Sequence, residues 1–363
     1  MIIKKIAVTG GPCAGKSTAL SWVQNAFNEK GYTVLFVSEA ATELMLGGIR
    51  PTNAPGFQKH LMNLQIFKED LYRQAAEDIG KDKVLIICDR GRLDCKAYMT
   101  DEQFNDLAKE LGGSEIEYRD NYDAVFHLVT AAKGAEEYYT LSNNGARTET
   151  IEEARILDDK TLLAWNGHPH LRVIDNSTGF KEKMDRLIDE ISRFLGEPLP
   201  MKMERKFLIR KPDIEKINGF HNVKKVEIEQ TYTKISDNEE IRIRRRGVDG
   251  DYIYYMAKME KLAPNKRVEI EKRLSKHEYD NMLLGSDESA KISKDRYYVM
   301  YDDRNYEIDI YPFMKDEAIM EIKVNSENEE VKIPEGIEVI KEITGDKEYM
   351  SASLAKRRKE NVL

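Results

Sequence analysis

Residues 10–18 read Gly10-Gly11-Pro12-Cys13-Ala14-Gly15-Lys16-Ser17-Thr18. In the pattern G-x-x-x-x-G-K-[ST], the fixed positions are taken by Gly10, Gly15, Lys16 and Ser17. A short apolar run precedes this stretch, and residues 18–28 carry apolar side chains at helical spacing. The order strand, glycine-rich loop, helix lets backbone N–H groups wrap phosphate oxygens at the positive end of a helix.

All nine residues of this loop are therefore predicted to bind a nucleotide. Lys16 is expected to reach the outer phosphates, and the Ser17 hydroxyl is expected to bind magnesium. The predicted cofactors are Mg²⁺ and either ATP or GTP, since contacts to the base come from loops without a fixed sequence. The alternative interpretation is a glycine-rich turn that only caps a helix, which the agreement of loop and flanking elements disfavours.

The length, charge and cysteine content limit the class of protein. A chain of 363 residues with a net charge of -8 and a pI near 5.6 predicts two domains and no general nucleic-acid-binding face. The three cysteines, Cys13, Cys88 and Cys95, have neither paired nor metal-ligand spacing. Nothing in the sequence resembles a signal peptide or a membrane span of ~20 apolar residues. We expect a cytoplasmic protein in a reducing compartment, for which peripheral membrane contact stays open.

Apolar runs alternate with helical patterns through the first half of the chain. The runs at 33–38, 83–88, 124–129 and 171–174 are typical of strands buried on both faces. Strands alternating with helices predict an α/β fold with a doubly wound parallel sheet, whose ligands lie at the carboxyl ends of the strands.

Two carboxylates follow predicted strands directly. Asp89 is the expected magnesium partner, because a strand-end acid can hold the ion beside a phosphate loop; the alternative is a solvated aspartate. Glu39 is interpreted either as a general base for an acceptor hydroxyl or as the first-turn acid of the next helix.

The segment 131–159 has the features of a lid over the phosphates. Thr150 and Glu153 have capping-box spacing, which predicts a helix starting near Ile151. Arg147 and Arg155 would then lie on or beside a flexible loop, where a guanidinium can stabilise charge on a transferring phosphoryl group. For each arginine alone, a solvated helix with i, i+4 pairs explains the pattern equally well.

Together, the loop, the strand-end Glu39, the turn Asp89-Arg90-Gly91 and the arginines resemble the nucleoside- and nucleotide-kinase-like, AAA-type branch of P-loop proteins over residues 2–195. The resemblance implies that Arg90, together with Asp89, positions metal and acceptor. The predicted catalytic residues are Lys16, Glu39, Asp89, Arg90, Arg147 and Arg155.

The pattern of apolar and polar residues along the sequence changes near residue 198. Gly196-Glu197-Pro198-Leu199-Pro200 cannot continue a helix, so we predict domains at 1–198 and 199–363. Long runs of period two follow, which predict an antiparallel sheet curled into a β-barrel within an α+β domain. Charged residues alternate along several of these strands, so we expect a wet, charged barrel interior; the alternative is a charged outer face.

This second half resembles the CYTH, or triphosphate-tunnel, family from about 203 to 356. The similar segments, in order, include Met203 to Ile209, Ile241-Arg242-Ile243-Arg244, Val268-Glu269-Ile270-Glu271 and Glu307-Ile308-Asp309. The resemblance implies an eight-stranded tunnel that binds triphosphate or polyphosphate. It also implies anion-binding positions at Glu204, Lys206, Arg242, Arg244, Lys258, Glu269, Glu271, Arg296, Asp309 and Glu321.

The sequence departs from the family pattern at two acidic positions. Lys202 stands in place of the first acid, and Lys323 stands in place of a second acid in the late strand. A hard divalent ion needs several oxygen ligands, and an ammonium group in the same shell repels it. We therefore expect weakened or absent metal-dependent hydrolysis in this domain and retained anion binding.

The fusion of the two domains resembles the arrangement of the TRPL translocation defect protein family. The leading hypothesis is a Mg²⁺-dependent P-loop NTPase or small-molecule kinase whose second domain binds triphosphate, polyphosphate or a phosphoinositide headgroup. The second hypothesis is a tunnel triphosphatase with a regulatory first domain. The third is a non-catalytic switch in which nucleotide changes the affinity of the second domain for its anion, and the anion changes nucleotide affinity by the same factor.

Overall fold

The computed structural model describes residues 1–51, 54–139, 149–196, 204–213, 223–235, 239–263, 266–284, 291–302, 304–324 and 329–360. The chain divides into two compact units, Met1–Phe194 and Leu195–Leu363.

The first unit contains a five-stranded parallel sheet. Its strands are β1 (Ile2–Thr9), β2 (Thr33–Val37), β3 (Lys83–Asp89), β4 (Ala124–Leu128) and β5 (Leu171–Ile174). They lie in the order β2-β3-β1-β4-β5, and every neighbouring pair is parallel. The parallel α/β sheet expected from the sequence is confirmed.

Helices connect these strands. They are α1 (Lys16–Glu29), α2 (Ala40–Leu46), α3 (Ala54–Ile79), α4 (Asp101–Glu110), α5 (Glu115–Arg119), α6 (Ile151–Ala164) and α7 (Phe180–Phe194), with 3-10 turns at Arg92–Tyr98 and Glu136–Tyr138. Thr150 accepts a hydrogen bond from the Glu153 N–H, and the Glu153 carboxylate accepts one from the Thr150 N–H. This reciprocal cap fixes the start of α6 where the sequence predicts it.

Strand register brings the candidate residues to one edge of the sheet. Val8 of β1 pairs with Asp89 of β3, and the Arg90 N–H donates to the Val8 carbonyl at 3.0 Å. Glu39 follows β2, the other neighbour of β3, and immediately precedes α2. The phosphate loop that follows β1 therefore lies at the same carboxyl edge as Glu39 and Asp89.

The second unit is built on a nine-stranded antiparallel sheet. Its strands are β6 (Glu204–Arg210), β7 (Val223–Ile235), β8 (Glu239–Val248), β9 (Asp251–Ala263), β10 (Lys266–Leu274), β11 (Lys291–Tyr301), β12 (Arg304–Ile310), β13 (Glu317–Lys323) and β14 (Val339–Glu342). The strand order is β10-β9-β8-β7-β11-β12-β13-β6-β14. Two helices, α8 (Lys276–Leu283) and α9 (Ser351–Glu360), and a 3-10 turn at Lys347–Tyr349 accompany the sheet.

The sheet is open, so the predicted closed barrel is wrong for the part of the chain that the structure describes. The edge strands are β10 and β14, and no described strand joins them. Alternating sequence patterns specify antiparallel strands and their faces. Closure depends in addition on strand tilt and stagger, which the patterns do not encode.

The two faces of the sheet differ in chemistry. Along β6, β11, β12 and β13, one face packs an apolar cluster that includes Phe207, Tyr297, Ile308 and Met320. The residues that alternate with these carry charges on the other face. One end of that second face is apolar, where Leu354 of α9 packs with residues of the sheet.

Candidate functional site

The phosphate loop has a backbone that requires glycine at two positions. Gly10 has a φ of 145°, and a Cβ there would lie 2.1 Å from the Leu128 carbonyl oxygen. Gly15 has a φ of 84°, and its Cβ would lie 2.7 Å from the ring of Phe180. The fixed glycines are therefore needed for both backbone conformation and close packing.

The first turn of α1 presents backbone donors. The helix begins at Lys16, and Gly15 at its N-cap offers no side chain to accept from that turn. Within the described chain, no group accepts from the N–H groups of Lys16, Ser17 or Thr18, whereas the Ala19 N–H donates to the Gly15 carbonyl. Three N–H groups at the positive end of a helix form an anion site.

Lys16 lies against the loop that precedes it. Its Nζ donates to the carbonyl oxygens of Gly10 and Gly11, each at 3.1 Å. Burial, and then the positive charge of Arg90, lower the pKa of Lys16 to about 8, against the opposing effect of nearby carboxylates. Burial therefore destabilises the charged form of Lys16 when no anion is bound, and a bound anion would stabilise that charged form.

Asp89 has properties expected of a metal-binding carboxylate. Burial, with a further contribution from Glu39, raises its pKa to about 6 although Lys16 opposes the shift. Its Oδ1 is buried, and no described group donates to that atom. The Ser17 side chain lies exposed at the start of α1. Mg²⁺ at phosphate sites takes one or two protein oxygens, waters and phosphate oxygens, so Ser17 and Asp89 fit it.

The described chain contains no cluster of three or more His, Cys, Asp or Glu side chains suited to a metal ion.

Glu39 and Arg90 form an ion pair beside Lys16 and Asp89. Arg90 Nε lies 2.6 Å from Glu39 Oε1, and Arg90 has a left-handed backbone with a φ of 64°. Burial would raise the pKa of Glu39, but the charges of Arg90 and Lys16 outweigh it and lower the pKa to about 2. Burial likewise opposes the charge on Arg90, yet Glu39 raises the pKa of the guanidinium. Glu39 is therefore ionised throughout the neutral range and bound to a cation.

Asp94 completes this arrangement, and the sequence analysis did not identify it. Its Oδ1 lies 3.2 Å from Arg90 Nη1 and accepts from the Thr9 hydroxyl. Its Oδ2 accepts from the Gly91 N–H at 2.7 Å and from Trp165 Nε1 at 3.3 Å. Asp94 stands three residues after Gly91, which is the spacing of a helix cap. This spacing is the sequence signal that could have identified Asp94. Asp94 thus contacts a second nitrogen of the Arg90 guanidinium, whose Nε is bound by Glu39.

The predicted lid arginines have different outcomes. Arg155 lies on α6, where its Nε donates to the Ala132 carbonyl at 2.6 Å and its Nη2 lies 2.8 Å from Glu136. The guanidinium is thus held against the segment that follows β4. Arg147 lies outside the described residues. The assignment of either arginine to the γ-phosphate stays a prediction.

Two further charged residues missed by the sequence analysis contact the loop. Asp158 of α6 accepts from the Gly11 N–H at 2.8 Å, and Lys183 of α7 donates to the Ala14 carbonyl at 3.4 Å. Both side chains are buried, with relative exposures of 0% and 3%. Lys183 lies in the buried stripe of its helix with Leu187, and a charge within such a stripe was the available signal.

In the second unit, the charged residues of the sheet share one face. Directly opposed residues of antiparallel strands lie on the same face, so register assigns the members. We call this set the charged face: Glu204, Lys206, Arg242, Arg244, Arg246, Glu271, Lys294, Arg296, Glu307, Asp309, Glu321 and Lys323.

Eight of the ten predicted anion-binding residues belong to the charged face, and the other two are Lys258 and Glu269. Lys258 pairs with Ile241, whereas the neighbouring Ala257 pairs with Arg242. Lys258 therefore lies on the opposite face from Arg242, and its part in anion binding stays a prediction. Glu269 lies on β10, and its side chain is outside the described part, as is Lys202.

One half of the charged face is a compact network of ion pairs. Arg296 makes a bidentate pair with the buried Asp309, both distances being 2.6 Å, and also pairs with Glu307 and, at 3.5 Å, Glu321. Lys294 Nζ lies 2.5 Å from Asp309 Oδ2. Burial would raise the pKa of Asp309, but Arg296 and Lys294 outweigh it and lower the pKa.

Lys206 and Lys323 neutralise the remaining carboxylates of this half. Lys206 Nζ lies 2.9 Å from Glu321 and 3.2 Å from Glu204. Lys323 Nζ lies 3.0 Å from Glu307. Lys323 thus places an ammonium group on the Glu307 carboxylate.

The other half of the charged face carries a row of arginines on β8. Arg244 donates to the side-chain oxygen of Gln230 at 3.1 and 3.2 Å and lies 3.8 Å from Glu271. Arg246 is fully buried, and its Nη2 lies 3.2 Å from the Tyr298 hydroxyl. Cations whose close acceptors include neutral groups retain electrostatic attraction for an anion.

A family model described as AAA domain matches residues 5–183. No curated protein matches the chain. The match spans the phosphate loop, Glu39, Asp89, Arg90 and Asp158, and it agrees with a nucleotide-binding P-loop domain in the first unit. The resemblance to the TRPL translocation defect protein family stays a prediction.

Among solved structures, the inorganic triphosphatase NE1496 is 22% identical, with a TM-score of 0.33; the match covers 44% of this chain and 96% of that chain. The PH1012 protein from Pyrococcus horikoshii OT3 is 19% identical, with a TM-score of 0.26, covering 34% of this chain and 80% of that chain. Scores this low carry no conclusion about activity.

None of the described helices combines the length and the apolar composition that crossing a bilayer requires.

Proposed function

We propose that the first unit is a Mg²⁺-dependent P-loop enzyme that binds ATP or GTP and transfers the γ-phosphoryl group to water or to a small acceptor. The observation that carries the proposal is the first turn of α1, where three backbone N–H groups and the Lys16 ammonium gather at the carboxyl edge of the sheet. Such a site favours a polyphosphate over any uncharged ligand.

The residues around the loop have different roles in this proposal. The N–H groups bind phosphate oxygens, and Lys16 neutralises charge on the outer phosphates. Ser17 and Asp89 would hold magnesium, which neutralises charge and orients the phosphates when bound. With these groups in place, the remaining requirement is an acceptor aligned with the γ-phosphoryl group.

Glu39 and Arg90 are the residues that support an acceptor. Arg90 is held at two of its nitrogens by Glu39 and Asp94, so its guanidinium keeps one orientation without further ordering. Glu39 has a pKa of about 2 and serves better to orient Arg90 and accept from a hydroxyl than to retain a proton. Asp89, with a pKa near 6, is the carboxylate whose protonation changes closest to neutral pH.

A thermal-shift panel of nucleotides, nucleosides, polyphosphates and inositol phosphates tests the proposal on the full chain. A ligand that binds only the native state raises the melting midpoint. We expect MgATP or MgGTP to raise it, and Lys16→Ala to reduce that shift strongly at the same nucleotide concentration. The absence of any nucleotide-dependent shift in the wild-type protein would overturn the proposal.

Glu39→Gln is expected to lower kcat about 10²-fold while changing the Kd for magnesium nucleotide less than about threefold. The amide preserves shape, but it cannot hold the Arg90 charge in place. Steady-state turnover and equilibrium titration separate the two effects. Glu43→Gln is the matched control, since Glu43 is a glutamate of α2 that pairs instead with Lys68. An equal loss of affinity and kcat in Glu39→Gln would assign Glu39 to nucleotide binding.

For the second unit, the specific observation is the row Arg242, Arg244 and Arg246 on one face of β8, beside a half of that face in which carboxylates and cations form a network of close ion pairs. We propose that the charged face binds a phosphate-rich anion at the arginines without metal-dependent hydrolysis. Each carboxylate suited to a divalent ion in the other half contacts Lys206, Lys294, Arg296 or Lys323.

Arg244→Ala is expected to weaken binding of tripolyphosphate or inositol hexakisphosphate about tenfold, the effect of losing one charge-assisted contact. The measurement is titration calorimetry in a Lys16→Ala background, so that binding at the loop does not contribute. Arg245→Ala is the matched control, because Arg245 is adjacent but lies on the opposite face, near Glu229. Equal losses in both variants, or release of phosphate from tripolyphosphate in this background, would contradict the proposal.

A further inference from the structure

The outer side of the phosphate loop is held at four successive residues by groups that lie outside the loop. These contacts are Asp158 Oδ1 with the Gly11 N–H (2.8 Å), the Thr130 hydroxyl with the Pro12 carbonyl, the Ala131 N–H with the Cys13 carbonyl (3.2 Å) and Lys183 Nζ with the Ala14 carbonyl (3.4 Å).

Three of these contacts fix the direction of peptide groups. The carbonyls of Pro12, Cys13 and Ala14 accept from Thr130, Ala131 and Lys183, respectively, all of which lie outside the loop. None of the described peptide bonds is cis, and the N–H and C=O of a trans peptide point in opposite directions. Holding the three carbonyls outward therefore turns the N–H groups of residues 13–15 toward the phosphate side.

Asp158 holds Gly11 directly and Pro12 through Thr130. Its Oδ1 accepts from the N–H groups of Gly11 and Thr130 and lies 3.1 Å from His127 Nε2, while Oδ2 lies 3.2 Å from Lys133 Nζ. Burial would raise the pKa of Asp158, but these cationic and hydrogen-bonding partners lower it. One carboxylate thus anchors the loop and also the residue whose hydroxyl holds Pro12.

Lys183 holds Ala14 directly. Its Nζ donates to the carbonyl of Val129 and to Asn176 Oδ1, both at 2.7 Å, in addition to Ala14. Asn176 in turn donates to the carbonyls of Thr130 and Lys133, each at 2.7 Å. Lys183 therefore links the loop to the end of β4 through groups that are themselves held in place.

We propose that Asp158 and Lys183 are positioning residues that preform the phosphate loop by keeping its carbonyls away from the nucleotide. The inference rests on the proposed function of the first unit. It assigns to α6 and α7 a part in nucleotide affinity, although neither side chain is placed among the groups that contact phosphate. A loop that is already ordered binds more tightly, because binding then does not have to select a minor conformation.

Four variants of the full chain test the proposal. Asp158→Ala leaves the Gly11 and Thr130 N–H groups without their acceptor, whereas Asp158→Asn retains a side-chain oxygen. Lys183→Met removes the donor and keeps most of the volume. Glu69→Gln is the control: Glu69 is a buried carboxylate of the same unit that binds Lys5 and Arg92.

Two readouts are measured well below the melting temperature of each variant. Amide hydrogen exchange of peptides covering residues 10–18, in nucleotide-free protein, reports order in the loop. Titration with MgATP and MgGTP reports affinity. We expect Asp158→Ala and Lys183→Met to speed exchange and to weaken affinity about tenfold or more, with Asp158→Asn affected least of the three. Glu69→Gln should change neither readout in the loop.

Each outcome decides the proposal. Unchanged loop exchange in Asp158→Ala and Lys183→Met overturns it whether or not nucleotide binds. Faster exchange with unchanged affinity overturns the link between loop order and binding. If the wild-type protein binds neither nucleotide, the proposed function fails, and the exchange data still decide whether these residues hold the loop. If Asp158→Ala does not fold, Asp158→Asn and Lys183→Met carry the test.

Discussion

Lys16→Ala is expected to abolish magnesium-dependent nucleotide turnover and to weaken nucleotide binding about 10²-fold. The Lys16 ammonium is held over the loop by two carbonyls, and its pKa is lowered to about 8 by burial and by Arg90. A phosphate would supply the counter-charge that this site lacks, so the lysine contributes most when the ligand is present. A charge-assisted contact of this kind is worth about 1.5–3 kcal/mol.

The control for this prediction lies at the other end of the same helix. Lys30 is the C-cap residue of α1, and its Nζ contacts Ser192 rather than the loop. Lys30→Ala should leave turnover and affinity within about twofold of wild type. Equal activity of wild type and Lys16→Ala would contradict the assignment of catalysis to the loop.

Asp89→Asn is expected to lower magnesium-dependent kcat about 10²-fold to 10³-fold while raising the melting temperature of the magnesium-free protein. Asp89 is a desolvated carboxylate with a pKa near 6 and a buried oxygen that no described group satisfies. The ionised Asp89 carboxylate would bind the metal, but it lowers the free energy of unfolding while no metal is bound. Activity and stability should therefore move in opposite directions in this variant.

The pH dependence of that stability follows from the raised pKa of Asp89. The ordinary value is 3.8 and the folded value is about 6, so between these values the folded protein binds more protons than the unfolded chain. The free energy of unfolding contributed by this group falls as pH rises through that window. At pH 7.5, Asp89→Asn should therefore melt about 2–8 °C above wild type, and the difference should vanish near pH 4.

Asp82→Asn is the matched control for Asp89→Asn. Asp82 immediately precedes β3 at the opposite end of the strand and is exposed. Thermal melts at pH 4 and 7.5 and magnesium titrations of turnover provide the readouts. A lower melting temperature for Asp89→Asn at pH 7.5, or full activity with magnesium, would contradict this role of Asp89.

The sequence predicted those parts of the first site that local patterns encode. The loop of residues 10–18, the start of α6 at Ile151 and the strands ending near Glu39 and Asp89 each follow from spacing within a few residues. Parallel strands then bring their carboxyl ends to one edge, as the pairing of Val8 with Asp89 shows. The order of strands and helices along the chain and the fixed handedness of the connections between parallel strands were enough to predict that these groups lie at one edge of the sheet.

The groups that hold the loop and Arg90 could not be predicted in the same way. Asp158 contacts Gly11 across 147 residues of sequence, and Lys183 contacts Ala14 across 169. Asp94 is close to Arg90 in sequence, but its partners Thr9 and Trp165 are distant. In each case the sequence shows only one charge among several in a helix or turn, and the partner appears only after tertiary packing.

In the second unit, alternation predicted the charged face but not its limits. Arg242, Arg244 and Arg246 share a face because strand side chains repeat every two residues. The face on which Lys258 lies depends on the register between β8 and β9, which a single strand does not specify. The open edges at β10 and β14 are likewise a property of the whole sheet rather than of any one strand.

The most direct test of the central claim is titration calorimetry of MgATP and MgGTP with the full wild-type chain and with Lys16→Ala. We predict that at least one nucleotide binds wild type at one site per chain, with a Kd tighter than about 1 mM. We also predict that Lys16→Ala weakens this binding about 10²-fold. Absence of binding by both nucleotides, or binding that Lys16→Ala leaves unchanged, would contradict the claim that residues 10–18 form a nucleotide site.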